Sequence, residues 1–247
     1  MIVTEISVKS ALSRSRVYDY VVNPYRGCQH GCTYCYARFM KKYSGHREPW
    51  GKFVDVKVNA ADLLRREVAR KKKGCVWVSG VCDPYQPLEK RYKLTRACLD
   101  ILIKAGWPVR IQTRSPLVVR DIDLFQAAPD IEVGLTITTG DDKIRRIFEP
   151  GAPSVTARIN ALATLHNAGI RTFVMVAPLL PGARQLAGML RGKTDRVLID
   201  RMNYHYADWV YRKYHLENAM STGFFQHAAA EMGAALEAAG ISCEIIC

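Results

Sequence analysis

The sequence predicts an α/β fold in which a parallel sheet curves into a partial (β/α)6 barrel of the TIM type. First, the 247-residue chain alternates short β-branched or apolar runs with longer segments whose apolar residues recur at helical spacing. Second, Gly106 and Gly169 follow two of those longer segments, at the place where helices commonly end. Third, the strand–helix unit recurs along most of the chain, which implies parallel strands joined by right-handed crossovers.

The strands are predicted from short runs that suit a pleated or fully buried position. Residues 17–22 are extended and lead into a cysteine-rich loop, and residues 53–58 alternate in polarity. Residues 75–79 form a short apolar run that is typical of a buried parallel strand. The remaining predicted strands are residues 109–113, 131–138, 171–176, 197–200 and 241–246.

The helices are predicted from periodicity and from their end signals. In residues 60–72, Leu64 and Val68 share one face, and Gly74 is placed like a C-terminal cap. The other predicted helices are residues 36–43, 94–105, 117–127, 154–168 and the alanine-rich segment 223–239. We expect one domain over residues 1–247, with the barrel in 1–200 and a lid, a helix and the last strand in 201–247.

The net charge and the number of cysteines limit the class of protein to which the chain can belong. A net charge of +13 predicts a polyanionic partner, with nucleic acid the first candidate, although a generally basic surface is the alternative. Residues 1–16 are charged and lack the apolar centre of a signal peptide, and no apolar run approaches the ~18 residues that a membrane span needs. Eight cysteines in so long a chain do not suggest a secreted disulfide scaffold. We therefore expect a cytoplasmic protein without a membrane partner.

One loop carries three cysteines, Cys28, Cys32 and Cys35, at the spacing C-x3-C-x2-C. Thiolates this close together bind a soft metal centre, either an iron–sulfur cluster or zinc. In a four-iron cluster, three cysteines leave one iron open, and an open metal position usually indicates chemistry. The alternatives are reduced structural thiols or a structural zinc site. Zinc needs a fourth ligand, and although His30 lies in the loop, no second ligand pair follows at finger-like distance.

The surrounding run resembles the cluster loop of the radical S-adenosylmethionine (SAM) superfamily, in its spore photoproduct lyase-like subgroup. The similarity spans roughly the first three quarters of the chain. It is carried by the run NPYRGCQHGCTYCYAR at residues 23–38, by DPYQPLE at 83–89, by TRSPL at 113–117, by Glu149-Pro150 and by APLLPG at 177–182.

The resemblance implies a radical enzyme with two cofactors. Cys28, Cys32 and Cys35 would hold a [4Fe-4S] cluster, and SAM would chelate the open iron. Reductive cleavage of SAM would give methionine and a 5′-deoxyadenosyl radical that abstracts a hydrogen atom. An electron donor such as flavodoxin or ferredoxin is the implied partner. The same barrel places the chemistry at the carboxyl ends of the strands.

The resemblance also implies which side chains contact SAM. Tyr34 would line the adenine, and Asp83 would accept from the ammonium, unless it is only a turn residue before Pro84. Arg114 would hold the carboxylate bidentately. The remaining positions are Thr136, whose alternative is ordinary strand propensity, and the pair Glu149 and Arg158, where Arg158 is otherwise a solvated helix side chain. Gln86 and Glu89 either help or are ordinary loop residues.

Two residues are candidate catalytic groups. Tyr36 is placed to face the cavity, where an aromatic residue of the lyases is implicated in radical relay. Cys82 is either a thiol that contacts SAM or a hydrogen donor, and we favour the first, because the relatives have Ser or Thr there. The donor cysteine of the lyases corresponds to about Gly80 in this sequence. Repair of thymine dimers is therefore not expected to follow from the resemblance, whereas SAM cleavage is.

Several further features have open interpretations. The segment RMNYHYADWVYRKYH at 201–215 either stacks bases and neutralises phosphates or forms a packed amphipathic lid, which we favour. The basic end of the helix at 65–73 is expected to be solvated. Cys75 and Cys98 are expected to be core thiols, and Cys243 and Cys247 lie on one strand face, where an auxiliary cluster is a minor alternative.

Three functions remain open from the sequence. The first is radical chemistry on a nucleic acid or nucleotide. The second is radical modification of a peptide, lipid or small metabolite, in which case the basic surface is incidental. The third is a non-catalytic module that binds a cluster or zinc.

Overall fold

The structure is a computed structural model that describes residues 1–246. Its strands are β1 (Ile2–Ile6), β2 (Leu12–Arg14), β3 (Tyr20–Val22), β4 (Tyr25–Arg26), β5 (Phe53–Lys57), β6 (Val76–Val78), β7 (Val109–Thr113), β8 (Ile131–Thr136), β9 (Thr172–Val176), β10 (Arg196–Asp200) and β11 (Ser242–Ile246). Its α-helices are α1 (Ala60–Val68), α2 (Glu89–Tyr92), α3 (Leu94–Lys104), α4 (Ile122–Ala127), α5 (Asp142–Phe148), α6 (Val155–Asn167), α7 (Leu186–Leu190), α8 (Asp208–Lys213) and α9 (Thr222–Ala238). Short 3₁₀ helices cover Tyr36–Tyr43, Pro116–Asp121, Ala183–Gln185, His205–Ala207 and Glu217–Met220.

The larger sheet has eight strands in the order β11-β10-β9-β8-β7-β6-β3-β2. From β3 to β11 each neighbouring pair in this sheet is parallel, and β2 runs antiparallel to β3. The carboxyl ends of the parallel strands therefore meet at one edge. This succession of parallel strands and helices confirms the predicted α/β class and the partial barrel.

The main core lies between this sheet and the helices that connect its strands. Val109 and Ile111 of β7, and Val133 and Leu135 of β8, are fully buried and pack with residues such as Leu162 of α6. Burying side chains of this size contributes roughly 1.5–3 kcal/mol each. The core thus fixes the strands whose ends carry the polar residues described below.

A second sheet departs from the predicted order. The predicted strand at 53–58 forms as β5, but it pairs with β1 and β4 in a three-stranded sheet outside the barrel series. Neither partner strand is predicted by the sequence. Most of β1 is exposed, which weakens its apolar pattern, and β4 is only two residues long. This small sheet lies beside the three-cysteine loop, because β4 is part of the motif itself.

Some element ends also differ from the predictions. Helix α1 stops at Val68 rather than 72, since the following Arg and Lys residues offer no apolar face to bury, and Ala69 rather than Gly74 is its C-terminal cap. Strand β8 ends at Thr136 rather than 138, and 36–43 is 3₁₀ rather than α-helical. The sequence analysis missed the short helices α2, α5, α7 and α8.

The remaining cysteines are placed as follows. Cys98 is fully buried, as predicted, whereas Cys75 is only half-buried because it precedes β6. Cys243 is half-buried on the edge strand β11, and Cys247 lies outside the described residues. Through residue 246, none of the helices has the length and apolar character that crossing a membrane demands.

Candidate functional site

The three-cysteine loop leaves the carboxyl end of β3, and glycines shape its backbone. Gly27 has φ +89°, and a Cβ there would lie 2.4 Å from the Phe53 carbonyl oxygen of the small sheet. Gly31 has φ +57°, and its Cα packs so closely on Gly51 that a Cβ on Gly51 would be 2.8 Å away. The glycines before Cys28 and Cys32 are therefore required by a left-handed backbone and by close approach.

The thiols of the loop are sheltered from water. Cys28 and Cys32 are buried, at 7% and 6% exposure, and Cys35 is partly exposed. Burial raises the pKa of Cys32 to about 11 although Arg114 opposes this, and burial also raises the pKa of Cys35 to about 11. A bound metal would displace these protons, because the thiolate is the ligand form.

Two polar rings beside the sulfurs test whether the loop suits an iron–sulfur cluster. Both ring nitrogens of His30 and the indole Nε1 of Trp50 are buried without a hydrogen-bond partner among residues 1–246. His30 lies beside Cys28, and Trp50 lies beside Cys35. Buried ring nitrogens that make no hydrogen bond among residues 1–246 and lie next to thiols suit a sulfur-rich, negatively charged group, so the residues present fit the cluster.

The arrangement differs from that of a single-ion site. Among residues 1–246, no group of three or more His, Cys, Asp or Glu side chains is placed so that it could hold a metal ion. A four-iron cluster makes a different demand, since each thiolate binds a different iron and the sulfurs do not converge on one point. A cluster on these three cysteines is compatible with this finding.

A network of buried charges faces the loop from the neighbouring strands. The Tyr34 hydroxyl donates to Glu149, Arg114 Nη2 donates to the Tyr34 oxygen at 3.0 Å, and Arg114 Nε lies 3.3 Å from Glu149 Oε1. The Arg114 guanidinium also lies over the Tyr34 ring, 5.7 Å from its centre. Three of the residues predicted to contact SAM thus form one hydrogen-bonded unit.

Arg158 binds the Glu149 end of the Tyr34–Arg114–Glu149 unit. It is fully buried, so the alternative of a solvated side chain is wrong. Its Nη2 donates to Glu149 Oε2, while Nη1 and Nε donate to the carbonyls of Thr136 and Pro153, each at 3.0 Å. Burial would raise the pKa of Glu149, but Arg158 and Arg114 lower it to about 2. Glu149 is therefore held as a carboxylate.

Asp83 is engaged by protein donors. Its Oδ1 accepts from the Thr113 hydroxyl at 2.6 Å and from the Tyr85 amide at 2.9 Å, and its Oδ2 accepts from the Arg114 amide at 2.7 Å. His30 Nδ1 lies 3.3 Å from Oδ2, at ion-pair distance but outside hydrogen-bonding geometry. Burial opposes the charge, yet His30 and these donors lower the pKa of Asp83 to about 2. Asp83 therefore joins the loop to β7, and its contact with the SAM ammonium stays a prediction.

Thr136 and Cys82 make no side-chain hydrogen bond to Tyr34, Arg114 or Glu149 among residues 1–246. The Thr136 hydroxyl is buried and accepts from Gln112 Nε2 at 3.0 Å. Cys82 Sγ lies 3.1 Å from the Ser79 hydroxyl and 3.4 Å from the Tyr25 carbonyl, and it packs against the small sheet. Burial raises the pKa of Cys82 to about 11. The roles assigned to both residues stay predictions.

Replacing Cys82 by serine separates its two candidate roles. We expect Cys82→Ser to leave SAM cleavage and product almost unchanged, because serine keeps a polar contact with Ser79. Both would be measured by chromatography of anaerobic reactions. A matched control is Cys98→Ser, which puts a hydroxyl in an apolar core and should cost about 1–3 kcal/mol of stability. Normal SAM cleavage by Cys82→Ser with a lost or altered product would instead assign the hydrogen-donor role, since O–H is far harder to homolyse than S–H.

Tyr36 begins a stack of tyrosines that runs outward from the loop. Its hydroxyl donates to the Gly80 carbonyl, and its ring stacks on Tyr204 with the centres 6.2 Å apart. Tyr204 stacks on Tyr206 at 5.7 Å, with 3° between the planes, and Arg38 lies 4.7 Å over the Tyr206 ring. All three tyrosines are exposed, at 38–48%. We call these three rings the tyrosine ladder.

The segment 201–215 has a buried face and an exposed face. Val210 and Tyr211 pack with Cys32 and Tyr34 in one apolar cluster, and Tyr211 lies 4.8 Å from Phe148. This face of the segment packs as the lid interpretation predicts, and the burial of Tyr211 makes its ring unavailable for stacking on a ligand. The exposed face carries Tyr204, Tyr206, Trp209 and Tyr214. The segment therefore closes over the loop on one side and offers aromatic rings on the other.

Sequence reasoning missed several residues of the site. They include Thr138, whose hydroxyl donates to Glu149 at 3.1 Å, and Asn23, whose side-chain oxygen accepts from the Gly80 and Val81 amides. Trp50 lies beside Cys35 but 15 positions along the chain. The spacing of residues along the chain does not predict such long-range contacts. The only indication in the sequence is that Asn23 is the first residue of the run at 23–38 that carries the resemblance.

The sequence model of the Radical SAM superfamily matches residues 22–183. An uncharacterised protein of Methanocaldococcus jannaschii is 40% identical over 181 residues, which are 72% of this chain and 68% of that protein. A Pseudomonas phage M6 protein named radical SAM Nalpha-GlyT isomerase is 28% identical over 164 residues, 66% of this chain and 33% of that one.

The fold has solved counterparts. Spore photoproduct lyase in complex with dinucleoside spore photoproduct superimposes with a TM-score of 0.70 over 98% of this chain and 81% of the lyase, at 14% identity. This likeness shows a shared fold. The matched superfamily model covers the three-cysteine loop and the strand ends through residue 183. The chain belongs to the radical SAM superfamily.

Proposed function

We propose that this protein is a radical SAM enzyme. Cys28, Cys32 and Cys35 would hold a [4Fe-4S] cluster, which together with SAM would supply radical chemistry for the abstraction of a hydrogen atom from the substrate. The observation that carries the proposal is the position of Cys28, Cys32 and Cys35 on one sheltered loop against the Tyr34–Arg114–Glu149 unit. Superfamily membership supports the same assignment.

Different side chains around the loop would bind different parts of SAM. Arg114 uses Nε and Nη2 on Glu149 and Tyr34, while its Nη1 makes no hydrogen bond within the part of the chain that the structure describes. That nitrogen is therefore available to a carboxylate. Tyr34 would line the adenine, and Val210 and Tyr211 pack in the same apolar cluster as Tyr34. Glu149 and Arg158 act as positioning residues, because both are fully buried.

The proposal is tested by SAM turnover. Anaerobically reconstituted protein, reduced with dithionite, is expected to convert SAM to methionine and 5′-deoxyadenosine. Formation of neither product would leave a non-catalytic metal-binding module as the better assignment.

We further propose a nucleic acid or nucleotide as the substrate. The tyrosine ladder, Tyr36, Tyr204 and Tyr206, starts beside Cys35 and presents exposed rings of the kind on which unpaired bases stack. Arg38 lies over the ladder, and the net charge of +13 favours a polyanion. Spore photoproduct lyase, which shares the fold, binds a dinucleoside in its crystal.

Removing the ladder tests this substrate class. We expect single-stranded DNA or RNA to bind with an affinity that falls linearly with salt on a log–log plot. The double substitution Tyr204→Ala/Tyr206→Ala should weaken binding by ~1–3 kcal/mol for each base that is no longer stacked. Fluorescence anisotropy measures both effects.

Tyr43→Ala is the matched control, because Tyr43 is 67% exposed and lies outside the ladder. It should bind like the unmodified protein. Absence of binding at low salt, or equal loss in the control, would favour a peptide, lipid or metabolite substrate.

A further inference from the structure

The segment 83–89 lies against the three-cysteine loop along its length. Asp83, Gln86 and Glu89 stand three residues apart, and each is at least nine-tenths buried. Asp83 faces His30, and Glu89 accepts from the Tyr25 hydroxyl. Gln86, between them, is fully buried, and the sequence leaves open whether it helps to bind SAM or is an ordinary loop residue.

Gln86 binds the loop backbone on both sides of Cys28. Its Oε1 accepts from the Gln29 amide at 2.9 Å, and its Nε2 donates to the Gly27 carbonyl at 3.3 Å. In turn, the Gln29 side chain of the loop binds the backbone of segment 83–89, since its Oε1 accepts from the Leu88 amide at 2.6 Å. The two glutamine side chains thus form a reciprocal clasp between the segments.

The clasp acts where the loop most needs support. Gly27 has φ +89°, which glycine adopts without steric cost, and because glycine is conformationally permissive the position of this residue depends on the contacts that neighbouring segments make with it. Buried backbone N–H and C=O groups must be paired, and at Gly27 and Gln29 the pairing comes from one side chain. A fully buried amide in this position has no surface left for a ligand.

We propose that Gln86 is a positioning residue for the three-cysteine loop, one that sets the place of Cys28 through the backbone of Gly27 and Gln29. The proposal deepens the proposed radical SAM function and rests on it for its role in catalysis. The clasp itself is a property of the chain alone. Gln86 therefore acts on the cluster through the loop, without touching cluster or SAM.

Two measurements test the clasp, each with Gln86→Met, which keeps volume but removes both hydrogen bonds. In reconstituted protein we expect iron to be lost to a chelator at least about tenfold faster than from the unmodified protein. In iron-free, reduced protein we expect Cys28 to react with iodoacetamide at least about tenfold faster, while Cys98 does not change. Mass spectrometry of the labelled peptides gives both thiol rates.

Tyr85→Phe is the matched control. Tyr85 is fully buried in the same segment, but its hydroxyl donates to Asp121 at 3.0 Å, away from the loop. It should lower stability without exposing Cys28. If Gln86→Met does not fold, Gln29→Met removes the other half of the clasp and is expected to expose Cys28 in the same way.

Three results would overturn the proposal: an unchanged Cys28 rate, a parallel rise at Cys98, or an equal rise in Tyr85→Phe. The iron-free measurement separates this proposal from the function. Faster labelling of Cys28 in a protein that never binds iron would support the clasp and reject the radical SAM activity. An unchanged rate of Cys28 labelling in a protein that binds iron and cleaves SAM would reject the clasp and support the activity.

Discussion

Replacement of Cys28, Cys32 or Cys35 by alanine is expected to abolish SAM cleavage by the reduced protein. Each thiolate is proposed to bind a separate iron, so the loss of one leaves the cluster without a full set of protein ligands. The products, methionine and 5′-deoxyadenosine, are measured after anaerobic reconstitution and dithionite reduction. We expect them to fall to the level of a reaction without protein.

Cys75→Ala is the control for the loss of a thiol. Cys75 is half-buried and lies outside the loop, so this variant should cleave SAM like the unmodified protein. Retained cleavage in any of the three loop variants would show that the cluster has other ligands.

Replacement of Arg158 by methionine is expected to destabilise the protein by ~3–5 kcal/mol. The substitution removes the fully buried cation that pairs with the Glu149 carboxylate and leaves Arg114, at 3.3 Å, as the remaining cation among residues 1–246. Breaking a buried ion pair is costly, because the remaining charge is less well compensated. The midpoint of urea unfolding of the iron-free, reduced protein measures the loss.

The matched control is Arg146→Met on α5. Arg146 pairs with Asp142 at 3.2 Å but is 71% exposed, so its loss should change stability by about 0.5 kcal/mol or less. Equal effects of the two substitutions would contradict the account of Arg158.

The same pair gives stability a pH dependence. The pKa of Glu149 is lowered to about 2 in the folded protein, so its contribution is present above its ordinary pKa. That contribution is lost as the pH falls toward 2. The urea midpoint of the unmodified protein should decrease over this range, and in Arg158→Met this part of the decrease should shrink.

The sequence predicts the parts of the fold and site that are local. The spacing of Cys28, Cys32 and Cys35 is enough to predict them as ligands, because a loop of eight residues holds all three. The strands β6 to β9 are recognisable because β6 and β9 are short, largely apolar runs, and because apolar residues occupy every second position in β7 and β8. Their parallel order then places Arg114 and Thr136 at one edge, where the structure has them.

Long-range pairing explains what the sequence does not predict. The small sheet joins β1, β4 and β5 across about 50 residues, and β4 has too few residues to show a pattern. Gln86 and Thr138 look like ordinary loop residues until their partners in the loop and in Glu149 are known. Arg158 looks solvated on its helix, because helical position alone does not show that Glu149 supplies a carboxylate and that Thr136 and Pro153 supply carbonyls.

The central claim is that the three-cysteine loop binds a cluster with one iron open to SAM. Iron analysis and electron paramagnetic resonance of the reduced, anaerobically reconstituted protein test it most directly. We expect about four irons per chain and a cluster signal that changes when SAM is added. Stoichiometric zinc without iron, or a cluster signal that SAM leaves unchanged, would contradict the claim.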